Sequence, residues 1–287
     1  MYYSIKWERN DFDIRSGNWG QAYFNGPRYK EKAWDQVIWK SIGMSWVYAH
    51  IHRGAYTYHY QNDKYGIQSP PRQGGVLNQK LHIGAMDKDG TSHYYDFNKF
   101  FTTPQVKIYS KVGSARRTSV NIFGTTIHEL AHASHWEMGY STEQYLVDWI
   151  FRKALMPESW ASCVEHVITS DIYSSTSNKN WNWKQTETFD DFSDGYTPLF
   201  IDLIDDYNQR DKEGGDTDYP FDRIDGYTIS QLEYILDKTY IDLGIYSASH
   251  LETIYESFAI SIYKNKLRNT YANPTEEFIN ELFSNYY

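Results

Sequence analysis

The chain has 287 residues, with 28 Lys and Arg against 37 Asp and Glu and a net charge of −9. That length buries a sizeable core as one large domain or two lobes, and an acidic chain without a concentrated basic tract excludes nucleic-acid binding through phosphates. The single cysteine, Cys163, excludes an internal disulfide and a cysteine-based zinc site.

No run of eighteen apolar residues occurs, so no transmembrane segment is expected. The opening "MYYSIKWERN" lacks the basic and apolar regions of a signal peptide. Aromatic residues are abundant, 27 Tyr, 10 Trp and 14 Phe at a mean hydropathy of −0.69. Tyrosine replacing aliphatics in the core accounts for them; a surface that meets sugars or extended peptides is the other use.

In chain order, Ala33, Trp34, Val37, Ile38, Ile42, Trp46 and Val47 recur at helical spacing and predict a helix over 28–52. "SPPRQGG" at 69–75 breaks the chain. "VLNQKLHIGAM" and "TSHYYDFNKFF" flank the turn tetrapeptide "DKDG", which predicts a β-hairpin over 76–101. "QVKIYSKV" at 105–112 reads as a further strand. Helices are predicted over 120–138, 142–155, 157–173, 196–208, 229–237, 250–268 and 274–284. "DDYNQRDKEGGDTD" at 205–218 reads as a solvated acidic loop.

The chemistry is concentrated in "TTIHELAHASHWEM", residues 125–138. His128 and His132 stand four apart, one above the other on a helix face, and imidazole suits zinc. Glu129 lies beside them, placed to polarise a zinc-bound water and take its proton. His135 shares the face, but seven residues rise about 10 Å along the axis, too far to join one ion; it reads as lining the cleft or as a packed histidine. Downstream, in "PESWASCVEHV", Glu158 and Glu165 are seven apart on one helix face, and either carboxylate can complete a His2Glu site with one position left for water. Pro157 fits a helix start.

"HELAH" followed by "ESWASCVEHV" resembles the gluzincin zinc metallopeptidases, the clan of thermolysin-like and alanyl-aminopeptidase-like enzymes. The aminopeptidase second motif reads E-G-F-A-x-Y-x-E; Glu158, Ala161 and Glu165 match it, and Ser159 and Trp160 replace its Gly and Phe. The resemblance spans residues 120–167. It implies Glu158 as third ligand of one zinc ion, Glu165 as a carboxylate supporting the ligands, and an oxyanion donor from the C-terminal half. Tyr196 leads for that role because it follows Gly at a predicted helix start, ahead of Tyr227 and His250.

The implied architecture is α+β: a zincin-like catalytic domain with a small mixed sheet in an N-terminal lobe, residues 1–138, ending in the H-E-x-x-H helix. A mostly helical C-terminal lobe, 139–287, carries the third ligand. The implied function is hydrolysis of peptide or protein substrates by a Glu129-activated zinc-bound water, the substrate lying extended along the strand at 105–112. The alternative is a catalytically inactive zincin-like module that binds peptide or glycan around a structural zinc. The resemblance also implies an exported bacterial protein, outside the cell or in its envelope with the signal removed; a cytoplasmic protein is the other possibility. "HIGAMDKDG" at 82–90 and the pair His50 and His52 read as a turn-bearing strand and as helix residues, not as further site elements.

Overall fold

The computed structural model of the chain describes residues 4–26, 38, 40, 43–72, 80–95, 103–138, 155–173, 196–212, 219–243 and 255–286. The chain divides into two compact units: Met1–Asn62 with Ser69–Ala133, and Asp63–Gln68 with Ser134–Tyr287.

In the first unit, strands β1 (Ser4–Lys6), β2 (Phe12–Ser16), β3 (Gly20–Gln21) and β4 (Tyr23–Asn25) precede helix α1 (Ser45–Gln61). Strands β5 (Leu81–Asp89), β6 (His93–Tyr94), β7 (Val106–Val112) and β8 (Ala115–Arg116) follow, then helix α2 (Ser119–Glu137). The main sheet runs β3-β2-β5-β7-β6, with β8 also on β7. Strands β2, β5 and β7 are parallel, and β3, β6 and β8 pair antiparallel at the margins. A separate two-stranded ladder joins β1 and β4.

The hairpin expected over 76–101 does not form. Leu81 to Met86 are all buried, the pattern of a central strand covered on both faces, and β5 pairs with β2 and β7 rather than with β6. Lys88 and Asp89 continue the strand past a register shift, and a Cβ at Gly90 would run into the Tyr109 ring, so the glycine serves close packing on β7. The strand expected at 105–112 is β7. Its buried Val106, Ile108 and Ser110 alternate with half-buried Lys107 and Tyr109. Neither edge of β7 is open to a substrate: β5 occupies one, and β6 and β8 share the other. The expected pairing of a peptide along 105–112 is therefore corrected.

Helix α1 also departs from expectation. Its described turns run from Ser45 to Gln61, nine residues beyond the predicted end at 52; residues 28–37 of the predicted helix lie outside the described residues. The buried stripe Val47, Ile51, Gly54–Ala55, Tyr58 keeps the helical period through the glycine. Gly54 sits where a Cβ would lie 3.1 Å from Thr126 Cβ and 3.2 Å from Phe123 O, so α1 and α2 approach closely there.

The second unit is helical: α3 (Leu155–Tyr173), α4 (Leu199–Asp202), α5 (Gln209–Lys212), α6 (Ile229–Leu243), α7 (Tyr255–Thr270) and α8 (Ile279–Phe283). Trp160, Phe200, Tyr263 and Phe283 form a fully buried chain of rings through α3, α4, α7 and α8. Successive ring centroids lie 5.5, 5.4 and 6.3 Å apart, the first two pairs edge-to-face. Aromatic side chains thus do the packing that aliphatics do elsewhere.

Of the single helix expected over 196–208 only Leu199–Asp202 is helical, as α4, and α5 starts beyond it at Gln209. Asp205 Oδ1 accepts the Tyr207 N–H at 3.0 Å, a local turn that competes with helix, and the Leu203 and Ile204 carbonyls accept the N–H groups of Tyr227 and Gly226. Helix α6 starts at a reciprocal cap, with Gln231 N–H donating to Thr228 Oγ1 at 3.2 Å and Thr228 N–H to Gln231 Oε1 at 2.9 Å. It extends past the expected end at 237. The expected helix at 274–284 is a 3-10 turn, Glu276–Phe278, running into α8. The helix expected over 142–155 lies outside the described residues except for Leu155.

The architecture is α+β, with a mixed sheet in the N-terminal part and helices in the C-terminal part. Among the described residues no helix is long and apolar enough to cross a membrane.

Candidate metal centre

Helix α2 begins where Thr118 Oγ1 accepts the Asn121 N–H at 3.1 Å, its hydroxyl also meeting the Asn121 side chain. From Ile122 to His135 only Thr125 and His132 are not fully buried, so this is a core helix. Its apolar contacts come from Ile122, Phe123, Ile127, Leu130 and Ala131. Among them it carries His128 and Glu129, each 5% exposed, and His135, 1% exposed. Taking such groups out of water is costly unless they find partners, so a core helix built this way has a polar task.

His128 and His132 turn their Nε2 atoms toward each other at 3.1 Å, with the rings at 82°. Two nitrogens bound at about 2.05 Å to one tetrahedral ion stand about 3.3 Å apart, close to this spacing. Two neutral imidazoles could also share a proton here, and a third group decides between the two. Glu158 is the fourth residue of α3, half-buried, in a first turn whose dipole favours a carboxylate and where Pro157 has no N–H to satisfy. One ligand atom from each of His128, His132 and Glu158 lies within 4.8 Å of the other two. A shared proton serves two nitrogens, whereas a cation serves all three donors. Among the described residues this is the group of His, Cys, Asp and Glu side chains that could hold a metal ion.

Of the two candidate glutamates, Glu158 is in the group and Glu165 is not. Glu165 is 6% exposed, two turns further along α3 on the same face. His135 also lies outside the group, buried in the last turns of α2. Tyr196 is half-buried and precedes α4 by three residues, so it does not start the helix.

The residue after Tyr196, Thr197, was not legible as part of the site. Its Oγ1 meets Ser159 Oγ at 2.7 Å and accepts the Leu199 N–H at 3.3 Å, both hydroxyl residues being fully buried. The segment carrying Tyr196 is thereby tied to the residue next to Glu158. The one sequence signal was Ser159 itself, a hydroxyl standing where the resembling motif has glycine.

Tyr227 is a core residue, 3% exposed, with burial pushing its phenol up to about 12. His250 lies outside the described residues. Asp87 is engaged by Lys111 at 2.9 Å and Arg116 at 3.3 Å. His50 packs edge-on against Trp46, and His52 against Trp7 and Phe12.

No protein-family model, curated protein or solved structure matches this chain.

Proposed function

We propose that the chain is a zinc-dependent peptidase, in which His128, His132 and Glu158 hold one zinc ion and Glu129 acts as general base. The observation that carries this reading is the convergence of two imidazoles and one carboxylate, with a further buried carboxylate one residue after the first imidazole. Two histidines and a glutamate suit zinc and leave it an open position, as catalytic zinc sites require. Zinc held there supplies Lewis acidity, polarising a substrate carbonyl and making water acidic enough to lose a proton near neutral pH.

Glu129 accepts the proton of the attacking water and returns it to the leaving amine. Its fixed place on a buried helix turn keeps that transfer short, since it cannot swing into bulk water. Tyr196 donates a hydrogen bond to the oxygen that gains charge; the Ser159–Thr197 bond supports this role by anchoring its neighbour beside Glu158. Glu165 and His135, both buried, hold the ligand helices in orientation. The substrates are peptides or proteins, and the setting is the cell exterior or envelope of a bacterium.

The test compares wild type with Glu129→Gln for zinc content and for hydrolysis of a mixed fluorogenic peptide library. One zinc per chain in both, with cleavage by wild type alone, is the expected result. Zinc in both and cleavage by neither would overturn the peptidase reading and leave a zinc-bearing binding module.

A further inference from the structure

We infer that the second unit carries a separate site for a hard divalent cation such as calcium, built by Asp202 and Asp222 with the side-chain amide oxygens of Asn208 and Gln209. Three pieces of chain supply it. Asp202 closes α4, Asn208 and Gln209 stand at the start of α5, and Asp222 lies on the extended stretch before α6. The spacing Asp202, Asp205, Asn208 brings an oxygen-bearing side chain round at every third residue.

All four donors are out of solvent: Asp202 is 1% exposed, Asp222 2%, Asn208 8% and Gln209 0%. Among the described residues, both carboxylate oxygens of Asp222, Asn208 Oδ1 and Gln209 Oε1 have no hydrogen-bond partner. The Gln209 head group is at Asp202, its Nε2 lying 3.4 Å from Asp202 Oδ1, while Asn208 Nδ2 donates to Asp211 Oδ2 at 2.9 Å. The other Asp202 oxygen accepts the Tyr286 hydroxyl at 3.2 Å. The backbone N–H groups of Gln209 and Asp222 face the Asp222 carboxyl and favour its charge, without reaching hydrogen-bond geometry.

Acidic residues alone would not make this a site, because two buried carboxyls can share a proton. Burial pushes both upward, with Asp222 and Asp205 adding repulsion at Asp202 and Asp205 adding it at Asp222, which rises to about 7. A shared proton, however, satisfies one acceptor on each side and does nothing for an amide oxygen. The unpartnered oxygens of Asn208 and Gln209 call for a positive centre that several oxygens approach together. A hard cation taking six to eight oxygens does that, and an all-oxygen donor set favours calcium over zinc; the buried Cys163 thiol nearby is held protonated by burial and by the charges of Asp205 and Asp202. Asp205, half-buried and three residues after Asp202, adds negative charge felt by both carboxyls.

This inference stands apart from the peptidase reading, and its test keeps the two separate. Full-length protein is stripped with chelator and titrated with calcium chloride by calorimetry and thermal melting. One saturable site is expected, with Tm raised by about 5 °C at calcium a hundredfold above Kd. Asp222→Asn and Asn208→Ala should each weaken calcium at least tenfold, the uncharged Asn208→Ala serving should the aspartate variant fail to fold. His128→Ala should leave the calcium response intact. Terbium in place of calcium should luminesce on tyrosine excitation, with most of the signal lost in Tyr286→Phe. No saturable binding at about 10 mM calcium, ten times the weakest extracellular sites, would overturn the proposal. Binding unchanged in the two oxygen-donor variants would overturn it as well.

Discussion

Replacing Gly54 by valine should loosen the packing of α1 against α2, the helix that carries His128 and His132. A Cβ at this position lies 3.1 Å from Thr126 Cβ and 3.2 Å from both Thr126 Cγ2 and Phe123 O, tighter than ordinary contact. Thr126 cannot simply turn aside, because its hydroxyl donates to Ile122 O at 2.7 Å. Alanine asks the neighbours to give by a few tenths of an ångström and gains about 1 kcal/mol of helix propensity over glycine, so its effect should be near zero. Valine adds two methyl groups directed at α2 and gains only about 0.4 kcal/mol of propensity against an overpacking cost of about 1–3 kcal/mol. The expected net loss is about 1–2 kcal/mol, a fall in Tm of about 2–3 °C for a chain of this size. His128 lies two residues past Thr126, so on the proposed zinc reading the affinity measured by chelator competition should also weaken, by less than about tenfold. A valine variant that melts at or above wild type with unchanged zinc affinity would refute the close-packing argument.

Two further outcomes test other parts of the fold. Thr197→Val keeps the shape but removes the buried bond to Ser159 Oγ and the acceptor of the Leu199 N–H, costing about 0.5–1.5 kcal/mol. Ser159→Ala together with Thr197→Val should restore part of that, and strictly additive losses in the cycle would contradict the bond. Burial lowers the His59 pKa from 6.5 to about 4, with Asp11 opposing, beneath a ring stacked on Phe12 at 5.3 Å. The unfolded chain therefore takes the proton first as pH falls. Stability from this group is complete above pH 6.5 and is lost between there and about 4, by about 3 kcal/mol in all. Urea unfolding at about pH 7 and about pH 4.5 should show a smaller acid loss for His59→Gln, and equal losses would refute the assignment.

The parts of the molecule that sequence reading reached are those whose signal is local. Helix α2 was placed to within one residue at each end because an apolar periodic run and a capping threonine coincide there. Glu158 was separable from Glu165 only through the resemblance, since both sit on one face of α3. The parts that were missed depend on partners distant in sequence. "DKDG" has turn chemistry, yet parallel pairing with β7 carries the strand through to Asp89. Gly54 looks like a helix terminator until Thr126 is set against it. The backbone of 203–204 gives its carbonyls to Gly226 and Tyr227 rather than continuing a helix. Nothing near residue 197 in the sequence announces the hydroxyl that it shares with Ser159.

The margins of the six-stranded sheet bear on solubility. Its described outer strands, β3 and β6, are two residues each, while the long central strands have neighbours on both sides. Exposed strand edges are templates for joining another chain, and short ones offer few main-chain groups to extend. A chain with 27 Tyr, 10 Trp and 14 Phe has much to lose from such templating. Among the described residues the outer strands of this sheet thus offer little main-chain purchase for self-association beside that aromatic load.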